Sequence, residues 1–310
     1  MLARFQLRAD RRLGQHFLLD PQLLAKIARA AGDLRGRTVL EVGPGPGGLT
    51  RAVLAAGAAR VIAIERDPRC VAALRELADL AGGRLEVIEA DALRCDLAGL
   101  GADRVVVVAN LPYNIGTALL LRWLDQIERL ETLTLMFQRE VAERLAAAPG
   151  TGTYGRLSVI VQWLCEVQIV MHLPARAFVP PPQVASSVVH LRPRPRPLAP
   201  ADKPALERVL AAAFGQRRKM LRASLKSLTA DPARLLDVAG VPATARAEDI
   251  DVVGFCRLAQ SYRSLAGGGA VTGSHGTGRR TRSDPPVDES GGVPRRGSGA
   301  PGRRSRRNRC

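Results

Sequence analysis

From residue 38 to residue 138, short β-branched runs alternate with stretches of helical periodicity, and no other feature constrains the fold as tightly. Strands are expected over 38–42, 60–65, 85–89, 104–109 and 133–138. Helices are expected over 48–56 and 68–78, the second opened by Asp67 as N-cap with Pro68 at the first helical position. Such alternation builds βαβ units and therefore a parallel sheet. Four consecutive valines, Val105 to Val108, suit a strand covered on both faces. The fold class that follows is α/β, a Rossmann-like, doubly wound, mostly parallel sheet.

Downstream, 139–147 reads as helix and 158–164 and 184–191 as two more strands, with Pro180-Pro181-Pro182 forcing an extended loop between them. Arg192-Pro193-Arg194-Pro195-Arg196-Pro197 reads as a stiff basic linker and marks a domain boundary, so the sheet domain is expected over 37–192 and the linker over 193–200. A small all-helical C-terminal domain follows over 201–266, with helices expected from Lys203 to Gly215, over 216–228, between Pro232 and Gly240, and over 248–266. The Gly, Ser, Pro and Arg composition of 267–310 cannot bury a core, and that tail is expected to be disordered.

The formal charge is +17; ten arginines against three acids follow Gly267, which leaves +10 on the part that folds. A polyanionic partner is expected, nucleic acid before a membrane surface. The five cysteines, Cys70, Cys95, Cys165, Cys256 and Cys310, are widely spaced without a CxxC pair or a nearby His cluster, which speaks against a zinc site or a disulfide framework. No apolar run approaches a membrane span, and a soluble cytoplasmic monomer without a metal is the expectation.

The loop Glu41-Val42-Gly43-Pro44-Gly45-Pro46-Gly47-Gly48 follows the first strand and opens the first helix. Gly43, Gly45 and Gly48 match GxGxxG, and Glu65 closes the second strand where an acid takes ribose hydroxyls. Pro44 and Pro46 remove N–H donors that a pyrophosphate would use, which favours S-adenosylmethionine over a dinucleotide as the cofactor. Asp91 ends the third strand, either as an acceptor for the cofactor's adenine amino group or as a turn cap.

The fourth strand ends in Asn110-Leu111-Pro112-Tyr113-Asn114, at the edge of the sheet that faces the ligand crevice. An exocyclic adenine nitrogen is a poor nucleophile because its lone pair is delocalised into the ring. Acceptors for its N–H groups favour a tetrahedral nitrogen able to attack a methyl. The side-chain oxygen of Asn110 and a carbonyl at Leu111 or Pro112 would supply two of them. Tyr113 offers a stacking face for an extruded base, and Phe178, on its proline-stiffened loop, is a candidate for the second face. Alignment and electrostatics suffice, without a general base of perturbed pKa.

These residues resemble the ribosomal RNA adenine dimethyltransferase family over roughly 11–266. The segments that carry the resemblance are 13–18 (Leu-Gly-Gln-His-Phe-Leu), 41–50, 110–114, 138–144, 154–158 and 178–184. The resemblance implies a class I methyltransferase sheet and an N-terminal stretch, 1–36, that closes over S-adenosylmethionine. It implies that His16 and Leu18 touch the cofactor with Gly43, Glu65, Asp91 and Asn110, and that Tyr113 and Phe178 sandwich the target adenine. Many members carry Asn where this chain has His16. Residues 213–222 resemble the small-subunit enzyme rather than the large-subunit methylase that confers antibiotic resistance, and members of the former group dimethylate two adjacent adenines in the 3′-terminal hairpin of small-subunit rRNA during ribosome assembly. Arg218, Arg222 and Lys226 recur at four-residue spacing, and on one helix they would share a face, completed by Arg217 and Lys219 into a phosphate-binding surface. A nicotinamide oxidoreductase built on the same glycine fingerprint, and an assembly factor that binds RNA without catalysis, are the alternatives.

Overall fold

The computed structural model describes residues 15–267. In chain order the elements are β1 (Phe17–Leu18), α1 (Pro21–Ala30), β2 (Thr38–Val42), α2 (Gly48–Ala55), β3 (Arg60–Glu65), α3 (Pro68–Leu80), β4 (Leu85–Glu89), β5 (Val105–Asn110), α4 (Gly116–Leu124), β6 (Leu130–Gln138), α5 (Arg139–Ala146) and α6 (Arg156–Leu164). There follow β7 (Cys165–Leu173), β8 (Phe178–Val179), β9 (Ser186–Pro193), α7 (Lys203–Gly215), α8 (Leu221–Ser224), α9 (Pro232–Ala239) and α10 (Val252–Gly267). The tail expected to be disordered lies, from residue 268, outside the described residues.

Seven strands form one sheet in the order β4-β3-β2-β5-β6-β9-β7. The five strands from β4 to β6 run parallel, and β9 and β7 add to the β6 edge in antiparallel pairs. From β2 the chain winds outward through β3 and β4, then returns to β5 on the other side of β2. The crevice therefore opens between the C-terminal ends of β2 and β5, the switch point where ligands sit in such sheets. Side chains of β5 are buried from Val105 to Ala109, as the valine run requires.

Helix starts follow one local device. Asp20, Asp67, Asp202 and Asp231 each accept a backbone N–H in the first turn of α1, α3, α7 and α9, and each helix has Pro within its first two positions. A cap of this kind contributes about 1 kcal/mol.

Three expectations need correction. Residues 158–164 are not a strand but most of α6: Ser158 Oγ accepts from Gly155 N and donates to the Arg144 carbonyl, closing the first turn. Six of the nine side chains of α6 are buried, between the sheet and α7 and α10, and its run from Val159 to Val161 carries no period that separates helix from strand. The strand is the next segment, β7, at the sheet edge. Residues 216–228 do not form one helix. After Gly215 the chain turns, Met220 bridges Arg246, Leu221 N donates to the Ala245 carbonyl, and only then does the short α8 begin. Arg218 therefore lies in a turn ahead of the helix and does not share a helical face with Arg222 and Lys226.

Residues 192 and 193 belong to β9, and the chain beyond them is strapped along α6. Arg194 N donates to the Leu164 carbonyl, Leu198 N to the Trp163 carbonyl, and Trp163 Nε1 to the Ala199 carbonyl. Helices α7 and α10 pack on α6, so one apolar core runs from the sheet into the C-terminal helices, with Tyr154, Phe214 and Phe255 in edge and tilted ring contact.

Candidate active site

A single cavity lies over the β2–β5 crevice. Its walls include His16, Leu18, Gly43, Gly45, Glu65 and Asp91 together with Asn110, Leu111, Pro112 and Tyr113. Ten of the residues expected at the cofactor and the acceptor base thus meet in one place.

The glycine loop is shaped by close approach. Gly43 has φ +66°, and a Cβ there would stand 3.3 Å from Pro112 Cδ; Gly45 has φ +56°, and a Cβ would meet the Phe17 ring at 3.0 Å. Side chains at either position would push the loop away from the end of β5 or from the N-terminal segment. The amides of the loop are already used. Gly43 N donates to the Ile64 carbonyl, Gly47 N to the Pro44 carbonyl, and Gly45 N to Glu65 Oε2 at 3.0 Å. Pro44 and Pro46 have none to give. From 43 to 47 no amide remains to hold a pyrophosphate, which disfavours the dinucleotide alternative.

Acids surround the cavity instead. Glu65 takes three backbone N–H groups, from Gly45, Arg66 and Asp67, and so braces the loop against β3; burial still pushes its carboxyl above the usual range. Glu41 is the residue that sequence reasoning passed over. It is 1% exposed, its Oε2 has no hydrogen-bond partner among the described residues, and burial, opposed by the nearby Thr50 hydroxyl and reinforced by the Glu65 charge, pushes its carboxyl up to about 8. An acid placed inside a strand otherwise built of Val and Leu was the available signal. Asp91 takes the turn-cap role weighed for it and also reaches the cavity. Its Oδ1 caps the 92–94 turn by accepting from Leu93 N, its Oδ2 lies 3.8 Å from Arg66 Nη1, and the residue lines the cavity.

At the end of β5, Asn110 Nδ2 donates to the His16 carbonyl at 3.1 Å, and among the described residues nothing donates to its Oδ1. The two candidate carbonyls separate clearly. That of Pro112 accepts from Ile115 N and Gly116 N at the start of α4, whereas no backbone N–H among the described residues takes that of Leu111. Asn110 Oδ1 and the Leu111 carbonyl are the acceptors left for a ligand. Tyr113 is held from two directions: its hydroxyl shares a 2.5 Å hydrogen bond with Ser186 on β9, and its ring stacks on that of His16, centroids 5.7 Å apart and planes 26° apart. Burial raises the Tyr113 phenol above its ordinary value.

Phe178 is not where a sandwich with Tyr113 would need it. It is 1% exposed and does not line the cavity. Its strand β8 pairs with β1, Leu18 opposite Phe178, and this pairing keeps the ring in the core. The ring beside Tyr113 is that of His16, whose Nδ1 is 2.8 Å from the Pro180 carbonyl. Gln15 Nε2 donates to Asp67 Oδ2 and ties the same segment to the end of β3.

Of the basic residues, Arg218, Lys219, Arg222 and Lys226 are exposed. Arg217 is engaged, with its guanidinium on Glu248 Oε2 at 2.9 Å and on the Thr151 carbonyl.

The model of the family described as ribosomal RNA adenine dimethylase matches residues 6–264. The chain belongs to the ribosomal RNA adenine dimethylase family. Among curated members, the ribosomal RNA small subunit methyltransferase A of Rhodospirillum rubrum is 58% identical over 261 residues, covering 84% of this chain and 90% of the relative. That of Xanthobacter autotrophicus is 58% identical over 272 residues, covering 86% and 94%. Among solved structures, a dimethyladenosine transferase from Plasmodium falciparum superposes with a TM-score of 0.70 at 28% identity, covering 81% of this chain and 98% of that one. The 23S rRNA methyltransferase ErmE gives 0.61 at 31% identity, covering 80% and 99%. The dimethylase family thus accounts for the sheet and for the helical C-terminal region. Within the described residues no group of three or more His, Cys, Asp or Glu gathers to hold a metal, and no helix is long and apolar enough to cross a membrane.

Proposed function

We infer that this dimethylase-family chain transfers methyl groups from S-adenosylmethionine to the N6 amino groups of two adjacent adenines in the 3′-terminal hairpin of small-subunit rRNA, during assembly of the subunit. The observation that carries the reading is the pair of unclaimed acceptors, Asn110 Oδ1 and the Leu111 carbonyl, on the wall of a cavity ringed by acids.

The residues fit the cofactor. Glu41 has a buried, unpartnered oxygen on the cavity wall, the donor-free state that a cationic amino-acid group satisfies. Glu65 Oε2 accepts only one N–H and keeps capacity for a ribose hydroxyl, and Asp91 Oδ2 is available for an adenine amino group. Leu18, Gly43 and Gly45 complete the walls. When bound, the sulfonium supplies an electrophilic methyl.

The chain's own part is to bind, align and stabilise. In the first transfer Asn110 Oδ1 and the Leu111 carbonyl accept the two N6 hydrogens, and in the second one of them accepts the hydrogen that remains, which draws the nitrogen toward a tetrahedral shape with its lone pair free to attack. Pro112, whose carbonyl holds the start of α4, stiffens the turn that presents them. Tyr113 gives the base a ring face on the side that His16 leaves open. Its raised pKa keeps the phenol protonated, so it serves as a platform rather than a base. Phe178 reaches the base only if the β1–β8 pairing opens. After each transfer the N6 proton passes to water.

Arg218, Lys219, Arg222 and Lys226 form an exposed basic surface for the rRNA backbone, with Arg217 anchoring the turn that carries them. Labelled methyl transfer onto unmethylated small-subunit particles, with mass mapping of the product, tests the reading. Dimethyladenosine at two neighbouring 3′-terminal positions is expected, and methyl incorporation at cytosine or at adenines elsewhere in the small-subunit rRNA would overturn it.

A further inference from the structure

The four residues from Gln15 to Leu18 line the cavity on the cofactor side and also hold the acceptor side together. Toward the cofactor, the Phe17 ring presses on the glycine loop at Gly45, and Gln15 is bound to Asp67 at the end of β3. Toward the acceptor, His16 makes three separate attachments. Its carbonyl accepts from Asn110 Nδ2 at 3.1 Å, which turns Oδ1 of that amide outward as an acceptor. Its ring stacks on Tyr113. Its Nδ1 lies 2.8 Å from the Pro180 carbonyl, and since a carbonyl only accepts, Nδ1 carries the hydrogen. That bond joins the segment to the loop following Phe178, which β1 already pairs through Phe17 opposite Val179.

We propose that His16 is a positioning residue that makes closure of the N-terminal segment over the cofactor and assembly of the acceptor-base pocket one event. The inference rests on the methyl-transfer reading above. Asn110 and Tyr113 share the turn after β5 and the 178–182 loop comes from a distant part of the chain; His16 touches all three while its neighbours touch the glycine loop. Cofactor that contacts residues 15–18 therefore holds the Asn110 amide and the Tyr113 ring in place, and RNA that fills the acceptor pocket holds the segment closed over the cofactor. Such coupling is reciprocal by linkage. The Nδ1–H bond to Pro180 is the tie that joins the two sides, because the carbonyl contact is backbone and survives a change of side chain.

Two substitutions separate the parts of His16. His16→Asn keeps an N–H donor close to the position of Nδ1 and removes the ring; His16→Phe keeps a ring and removes the donor. Affinity of the full-length protein for unmethylated small-subunit particles is measured by filter binding, with and without saturating S-adenosylhomocysteine. The wild type is expected to bind particles at least about fivefold more tightly with the cofactor product present, at the lower end of ordinary coupling. His16→Phe should lose this ratio, to below about twofold, when S-adenosylhomocysteine is held at a concentration that saturates the variant. His16→Asn should restore the ratio to within about twofold of wild type. Should His16→Phe fail to fold, His16→Ala, which adds no bulk, repeats the measurement. Absence of coupling in the wild type, or full coupling in the variant without a donor, overturns the proposal. A wild type that does not bind S-adenosylhomocysteine at all would instead overturn the methyl-transfer reading.

Discussion

Asn110 and His16 are joined by a hydrogen bond from the side-chain amide of the first to the main-chain carbonyl of the second, across ninety-four residues of sequence. The bond fixes which end of the amide faces the ligand. Replacing Asn110 with Ala removes both the orientation and the acceptor. Its single-turnover methyl-transfer rate should fall by about 100-fold or more, comparable to loss of another preorganised transition-state contact. Affinity for S-adenosylmethionine should fall much less, and a rate close to wild type would contradict the mechanism.

Tyr113 is tethered to Ser186, and the tether and the ring have separable effects. Tyr113→Ala should lower kcat/KM by about 5- to 150-fold, the equivalent of ~1–3 kcal/mol of base stacking. Ser186→Ala leaves the ring in place and frees only its hydroxyl, so a loss of about threefold to tenfold is expected, chiefly in kcat. Steady-state kinetics on the same particles would show whether the order of the two is reversed.

Glu41 makes the ligand-free protein less stable as the pH rises from acid to just above neutral. Its carboxyl titrates near 8 in the folded chain against an ordinary 4.5. Between those values the unfolded chain has lost a proton that the folded chain retains, so each rise in pH favours unfolding. The contribution is complete below about pH 4.5 and is lost as pH climbs to about 8. Glu41→Gln cannot titrate. Urea unfolding at pH 5 and pH 8 should show the variant gaining on the wild type by on the order of a few kcal/mol across the interval. A difference that stays constant with pH would refute the assignment.

The basic residues divide by what they touch. Arg217 is paired with Glu248 and the Thr151 carbonyl, so Arg217→Ala should lower the melting temperature. Arg218, Arg222 and Lys226 are exposed, and their replacement by Ala should leave melting unchanged. Each of these three should instead reduce the slope of log affinity for rRNA against log salt by about 0.7–0.9. Melting curves and salt-dependent binding isotherms distinguish the two groups.

Much of this was legible in the sequence because the signals are local. β-branched runs gave β2, β3 and β4 to the residue, and Asp followed closely by Pro marked the start of α7 and α9. The miss at α6 has the opposite origin: its buried run from Val159 to Val161 has no polar position from which to read a period. The break after Gly215 depends on Met220 meeting Arg246, a contact that spacing cannot reveal. At the site, the identities of Asn110, Tyr113, Glu65 and Asp91 were readable, but their bonds were not. The choice between the Leu111 and Pro112 carbonyls depended on which one α4 consumes. The exchange of Phe178 for His16 beside Tyr113 depended on the pairing of two-residue strands 160 positions apart.

The continuity of apolar packing from the sheet through α6 into α7 and α10 also sets how a large substrate can be handled. A reader on a hinge could swing its captive base to the methyl. Here the separation between the basic turn and Tyr113 is built into a common interior. If those residues hold the rRNA as proposed above, the polynucleotide does the bending, and a hairpin or particle with the right span between its backbone and its target bases satisfies both ends at once.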